Sequence, residues 1–206
     1  MFQGFVNWIG IFEAPSPSYE SLEVLDYWGV GARFGIVPVS STTAYWAGGI
    51  AMSQADAQTP GAHIEQLRRS FKSWPSPVIQ LVTQATSSNT HRLPLFDHSP
   101  TTTWHKGNVL MIGDAAHAAL PTSGQGAAQA LEDAWFLGRA LGESPGSLQD
   151  AIAAFTKSRL KKTAGIIMSG RAFAASLFNE DPAFCAARDH GATLTDYAAM
   201  ATGLAA

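Results

Sequence analysis

Cysteine is almost missing from this chain. Cys185 is the only one in 206 residues, which excludes an internal disulfide framework and any multi-cysteine metal site. A reducing, cytoplasmic location is therefore the expectation. Charge is scarce too: charged residues make up 14% of the chain, against roughly 25% in an average soluble domain. So few charges on so much apolar chain imply surface meant for a partner, another domain or a cofactor. The formal net charge is −3, which gives no electrostatic reason to expect nucleic acid or an anionic membrane as a partner. No stretch of 18 uncharged apolar residues occurs, so no membrane span is expected. The first cation is Arg33, which disfavours a signal peptide. No G-x-G-x-x-G occurs; Gly124-x-Gly126-x-x-Gln129 lacks the third glycine and no strand immediately precedes it.

What is present fits a globular fold. The hydrophobic fraction is 46%, and a chain of this length can bury roughly 70% of its unfolded surface. Residues 4–12 read as a strand, with Val6, Trp8 and Gly10 on one face and Phe5, Asn7, Ile9 and Ile11 on the other. Both faces are apolar, so both should be covered. Residues 14–18 form a proline-bearing loop. Residues 32–39 and 42–52, punctuated by Pro38, Ser40 and Ser41, read as an antiparallel pair. Over residues 58–74, Ile64, Leu67, Phe71 and Trp74 recur at helical spacing. A shorter helix follows over residues 76–85, with Pro77 suited to its first turn. Residues 89–104 are extended and broken by Pro94 and Pro100.

Residues 108–112 form a short apolar run, the pattern of a strand buried on both faces. A helix over residues 125–141 carries Ala128, Leu131, Ala134, Trp135 and Leu137 on its apolar side. Helices are expected over residues 147–178 and 181–200. Strands come first and helices last, so the class is α+β or a fragment of α/β.

Chemistry concentrates between Gly107 and Leu141. A strand runs into Gly113-Asp114, a loop of small residues follows, and Gly124-Gln125-Gly126 opens a helix. Glycines there let backbone approach a ligand. A helix start offers free N–H groups and about half a positive charge, which suits a partly negative oxygen. Asp114, at the end of a strand, can accept hydrogen bonds from sugar or polyol hydroxyls. The competing reading is a plain strand–loop–helix connection with turn glycines and a capping aspartate. His117 reads as packing or a bond to backbone, with a proton relay as the minor role. Asp114, His117 and Ser123 do not make a hydrolase triad, because Ser123 is not in a nucleophile elbow. Asp114 with His105 and His117 does not make a convincing metal site. Glu132 and Asp133 read as capping or pairing on the helix surface. Lys157, Arg159, Lys161, Lys162 and Arg171 read as a solvated basic face, or as a dock for a dinucleotide phosphate. Phe34, Tyr45 and Trp46 read as strand core or as the lining of a substrate pocket.

The run G-D-A-A-H-x-x-x-P-x-x-G-Q-G-x-x-x-x-x-E-D-A, from Gly113 to Ala134, resembles the second FAD-binding motif of the class A flavoprotein monooxygenases. These are aromatic-ring hydroxylases of the p-hydroxybenzoate hydroxylase type. Gly4-Phe5-Val6-Asn7-Trp8 resembles the strand entering that family's substrate domain. Trp28-Gly29 to Pro38, Phe71 to Trp74, Arg92 to Trp104 and Phe155 to Lys162 are also similar. Within the family, the chain resembles the salicylate and urate hydroxylases. Ile9 departs, standing where many relatives carry a polar or basic residue.

The resemblance implies a fold and a set of roles. Residues 1–104 would form a substrate-domain-like, mixed antiparallel sheet with helices. Residues 105–206 would form the C-terminal part of a Rossmann-like FAD-binding domain with a helical tail. The family's N-terminal G-x-G-x-x-G unit and its Asp-Gly motif are absent. Roughly the first 40–50% of a usual enzyme is thus expected to be missing, as in a truncated or split form. Gly113 and Asp114 would serve the ribityl chain of FAD. Pro121 would line the flavin ring as the one catalytic candidate. Gly124, Gln125, Gly126 and Ala127 would set N–H groups against the pyrimidine edge. Phe34, Tyr45 and Trp46 would contact substrate. The implied activity is hydroxylation of a small aromatic or heteroaromatic compound through a flavin hydroperoxide. It would use O2 and NADH or NADPH as transient reductant. The alternative is a non-catalytic remnant or interaction module that needs a separate N-terminal FAD-binding chain.

Overall fold

The computed structural model describes residues 1–16, 18–19, 23–144 and 146–193. It divides into two compact units. One comprises Met1–Gln3 and Leu95–Ala175, and the other comprises Gly4–Pro94 with the described residues from Ser176 on. The sequence reading instead draws a single line after residue 104.

A five-stranded sheet organises the Gly4–Pro94 unit. Its strands are β1 (Phe2–Glu13), β2 (Leu25–Gly29), β3 (Ala32–Pro38), β4 (Thr43–Ala51) and β5 (Thr90–Phe96), in the order β2-β3-β4-β1-β5. The expected pair is present: β3 and β4 run antiparallel, with Phe34 opposite Gly48 and Ile36 opposite Trp46. Two residues, Val30 and Gly31, link the paired ends of β2 and β3. Gly31 has a φ of +63°, a value that side chains other than hydrogen resist. At the next corner the Ser40 hydroxyl accepts from the Thr42 and Thr43 amides. Pro94 sits inside β5, where it is tolerated because β5 is the edge strand.

Alternation places Val6, Trp8, Phe34, Ile36 and Trp46 on one face of the sheet. Phe34 and Trp46 stack with centroids 5.4 Å apart, and Phe71 meets Phe34 edge-on at 5.1 Å. Burying Phe34 completely contributes about 1.5–3 kcal/mol. On the opposite face Phe5 stacks on Phe178 at 4.0 Å. Covering on both faces thus holds over the first half of β1, whereas Ile11 further along is 52% exposed.

Helices α1 (Gln54–Gln58), α2 (His63–Phe71) and α3 (Ser76–Gln84) belong to the same unit. The continuous helix expected from residue 58 is interrupted, because Pro60 and Gly61 resist helix. Leu67 and Phe71 remain on its buried face. Proline occupies the first turn of α3, as expected.

The other unit holds the hairpin β6 (His105–Lys106) and β7 (Val109–Leu110), the short helix α4 (Asp114–His117) and a 3-10 turn, Pro121–Ser123. Helices α5 (Gly126–Glu143) and α6 (Leu148–Leu177) follow, and α6 ends in the Gly4–Pro94 unit, to which α7 (Pro182–Thr193) belongs. The helix expected over residues 181–200 is present to Thr193; its remainder lies outside the described residues. Trp104, Ala116, Ala140, Ala151 and Phe155 form a core with Leu110, Met111 and Phe136 packed against it.

Two sequence expectations fail in this unit. Residues 108–112 are not a strand buried on both faces, since Val109 is 71% and Ile112 43% exposed. The Gly107-Asn108 turn, with Gly107 at φ +58°, folds the run back on His105–Lys106 as a short hairpin, so one side stays open. Helix α5 turns its apolar side outward, with Leu131 and Trp135 exposed. It buries Gln129, Asp133 and Ala140 instead.

Candidate functional site

The predicted cofactor residues converge. Asp114, Pro121, Gly124, Gln125, Gly126 and Ala127 line one cleft of about 510 Å³, with Leu120 and Ala130. Gly113 sits directly behind Asp114 as the N-cap of α4, at φ +56°. Its conformation turns the chain sharply from β7 into α4, which is why no larger residue suits it. A second left-handed residue, Gly124 at φ +65°, ends the 3-10 turn and delivers the chain to α5.

The start of α5 has no capping side chain: Gln125 is the N-cap and makes no side-chain cap bond. Its first N–H groups and the positive end of the helix are thus available to a ligand oxygen. A Cβ built on Gly124 or Gly126 meets nothing within 4 Å. The glycines therefore keep open a concave wall rather than relieve a packing clash. Asp114 is exposed, and its carboxylate has no protein hydrogen-bond partner among the described residues. The cleft offers an acceptor on one side and N–H donors on the other. That set fits the polyol chain and the oxygen-bearing edge of a flavin.

Beneath this wall lies a buried network that the sequence reading missed. Asp133 is fully buried. One carboxylate oxygen accepts from the Gly113 amide at 2.8 Å and from His117 Nε2 at 2.6 Å. The other accepts from Arg159 Nε at 2.8 Å. The Arg159 guanidinium also reaches Glu132, the Gln129 carbonyl and the Gln129 side chain. Lys162 completes the network with two bonds of 2.9 Å to Glu132. Burial would raise the Asp133 pKa, but the bonds from Gly113, Arg159 and His117 outweigh it and hold the carboxyl below its ordinary value. Glu132 is likewise held low against desolvation, by Lys162 and Arg159.

These contacts correct three expectations. Asp133 is a buried acceptor, not a surface partner. His117 bonds a carboxylate rather than backbone and packs 5.3 Å from the Trp104 ring. Arg159 is 1% exposed, so the basic face of α6 is not uniformly solvated. Arg171 also leaves that face, binding the buried Asp97 through two nitrogens at 2.6 and 3.0 Å. The sequence did carry a signal. Arg159 falls on the stripe Ile152, Phe155, Thr163, Ile166, and a lone cation on a buried stripe implies a buried anion.

Two of the three substrate candidates come together, Phe34 stacking on Trp46, and Tyr45 stands apart. Phe34 and Trp46 lie on the helix-covered face of the sheet, 0% and 2% exposed. Tyr45, adjacent to Trp46 in β4, points to the opposite face. It is 36% exposed there, and the partial desolvation of its hydroxyl raises its pKa while the nearby Arg33 lowers it.

A strand end, a glycine turn and an uncapped helix start surround one concave wall. The comparison with known sequences shows the family: the FAD binding domain family matches residues 3–160, and the chain belongs to that family. It is 32% identical over 161 residues to aurachin C monooxygenase/isomerase of Stigmatella aurantiaca, covering 78% of this chain and 41% of that protein. It is 31% identical over 170 residues to an FAD-dependent urate hydroxylase of Mycolicibacterium vanbaalenii, covering 82% and 43%. The chain thus spans less than half the length of these curated relatives. The structure of Klebsiella pneumoniae HpxO complexed with FAD and uric acid superposes with a TM-score of 0.83 at 23% identity, over 98% of this chain and 52% of that one. That likeness establishes the shared α+β fold.

Proposed function

We propose that this chain contributes the flavin-holding wall and the substrate-side sheet of an FAD-dependent monooxygenase, which hydroxylates a small aromatic or heteroaromatic compound with NADH or NADPH and O2. The observation that carries the reading is the convergence of Asp114, Pro121 and residues 124–127 on one cleft at an uncapped helix start. The relatives' names, a monooxygenase/isomerase and a urate hydroxylase, point to ring substrates.

Asp114 would accept hydrogen bonds from ribityl hydroxyls, with Gly113 admitting the chain closely behind it. N–H groups at the start of α5 would bind the pyrimidine edge, and the helix dipole would favour negative charge there. Pro121 would line the ring without presenting a proton donor. FAD, when bound, supplies redox and oxygen chemistry that no side chain here can supply. The protein's part is to orient the cofactor and exclude water. The free, buried thiol of Cys185 suits a reducing, cytoplasmic setting.

A second reading is an interaction module that works with a separate FAD-binding chain. It is favoured by Leu131 and Trp135, 74% and 71% exposed on one side of α5. Titration of FAD against the purified chain, read by flavin fluorescence, separates the two from a misplaced site. Quenching that disappears in Asp114→Ala and Gly126→Val supports the cleft. Quenching that survives both places the cofactor elsewhere and refutes the assignment. Oxidation of NADH or NADPH coupled to a hydroxylated product then tests the activity.

A further inference from the structure

The Gly4–Pro94 unit holds a second cleft, of about 440 Å³, that the flavin reading does not use. Its volume lies within the roughly 300–1,000 Å³ common to small-molecule sites. Trp8, Arg68, Arg92 and the first turn of α2 contribute to its wall. Trp8 is fully buried, and its Nε1–H has no acceptor. Arg92 Nε is also buried without a partner. A buried N–H without an acceptor is an unmet demand that a ligand oxygen can meet.

The cations are fixed but not neutralised. The Arg92 guanidinium lies 5.8 Å over the Trp8 ring and donates to the Ala57 and Asp56 carbonyls. Arg68 donates to the carbonyls of Val82, Thr83 and Ala85. Neither guanidinium has a carboxylate partner among the described residues, so both positive charges remain at the cleft. The nine-residue helix α2 starts there too, and its N-cap Ala62 offers no capping side chain. His63 and Glu65 are the other titratable groups on the wall, and Glu65 is the only one of negative charge.

We propose that this cleft binds a small molecule through an oxyanion, a carboxylate or a phosphate group. Arg68, Arg92 and the start of α2 form its positive wall, and the Trp8 indole N–H is its directional donor. The proposal is independent of the flavin reading, since none of its residues lines the Asp114 cleft.

The test uses the 206-residue chain with inorganic phosphate and with benzoate, by calorimetry and thermal shift, against sodium chloride at matched ionic strength. At least one anion should bind saturably beyond the chloride control. Phosphate alone assigns the site to phosphate-bearing molecules, benzoate alone to carboxylic acids, and both to oxyanions generally. Trp8→Phe keeps the ring and removes the N–H; it should weaken binding about fivefold to tenfold. Glu65→Gln removes the one opposing charge and should tighten binding about twofold to threefold, a gain that a merely structural residue would not give. Arg92→Gln should abolish binding; should it fail to fold, the other two variants leave its carbonyl ties intact and decide the question. Binding of neither anion, or binding unchanged in both Trp8→Phe and Glu65→Gln, overturns the proposal.

Discussion

Removing the Asp133 carboxylate should loosen the floor of the Asp114 cleft, and the size of the effect follows from what it leaves behind. Asp133→Ala deprives three donors of their acceptor: the Gly113 amide, His117 Nε2 and Arg159 Nε. An unsatisfied buried donor costs about 1–3 kcal/mol, and breaking a buried charge pair by deleting one partner costs about 3–5 kcal/mol. Arg159 keeps its bonds to Glu132 and Gln129, so the lower half of that range, about 3–4 kcal/mol, is expected. Asp133→Asn should cost less. Its remaining oxygen can serve Gly113 and His117, or Arg159, but not all three. With that oxygen toward Gly113 and His117 only one donor, Arg159 Nε, is stranded, for about 1–3 kcal/mol.

Unfolding in urea gives the totals, and hydrogen exchange at the Gly113 amide locates them. The Gly113 amide should be protected in the parent chain and open in Asp133→Ala. The pH dependence has a definite sign. The folded Asp133 carboxyl titrates below its ordinary value, so its stabilisation is complete above the unfolded pKa of about 3.9 and is lost as pH falls through the folded value. The gap between parent and Asp133→Asn should therefore close on acidification below about pH 4. If Asp133→Asn cost as much as Asp133→Ala, or if Gly113 exchanged equally fast in both chains, the carboxylate would not be what holds the turn.

Asp114→Ala should weaken FAD roughly 10- to 100-fold, the worth of a charge-assisted hydrogen bond, without changing the unfolding midpoint; equilibrium titration and urea melts check both halves. Gly126→Val should fold, because a Cβ there meets nothing within 4 Å, yet it should bind flavin poorly at any concentration; normal FAD binding would remove Gly126 from the wall. Gly49→Ala should destabilise its unit by about 1–3 kcal/mol, since the added Cβ would overlap Asn7 Oδ1 and lie 2.8 Å from the Phe178 ring; a chain with an unchanged melt would show that β4 can shift to accept it.

Legibility differs with the kind of signal each segment carries. The β3–β4 pair and α3 were readable because local chemistry agrees with the fold: β-branched and aromatic residues between turn serines, and Pro77 at a helix start. That Asp114, Pro121 and residues 124–127 share one cleft was readable because small residues at fixed spacing admit few substitutes. Periodicity misled where it was taken alone. Ile64, Leu67 and Phe71 mark the true face of α2, but a stripe does not say where Pro60 and Gly61 break the backbone. In residues 108–112 an unbroken apolar run reads as a strand buried on both faces. The Gly107-Asn108 turn in front of it decides for a short hairpin.

Helix α5 shows why the rest was hidden. Hydrophobicity ranks Leu131 and Trp135 as core and Asp133 as surface, and the structure reverses that order. The reversal is stable only because Arg159, 26 residues further along the chain, supplies a buried charge to Asp133. A polar side chain can face inward when a partner arrives from another helix, and no window as short as one helix contains both members of such a pair. The same pairing ties Asp133 to Gly113. A residue that restrains the Gly113 turn is therefore twenty positions away from it, on the inward side of α5.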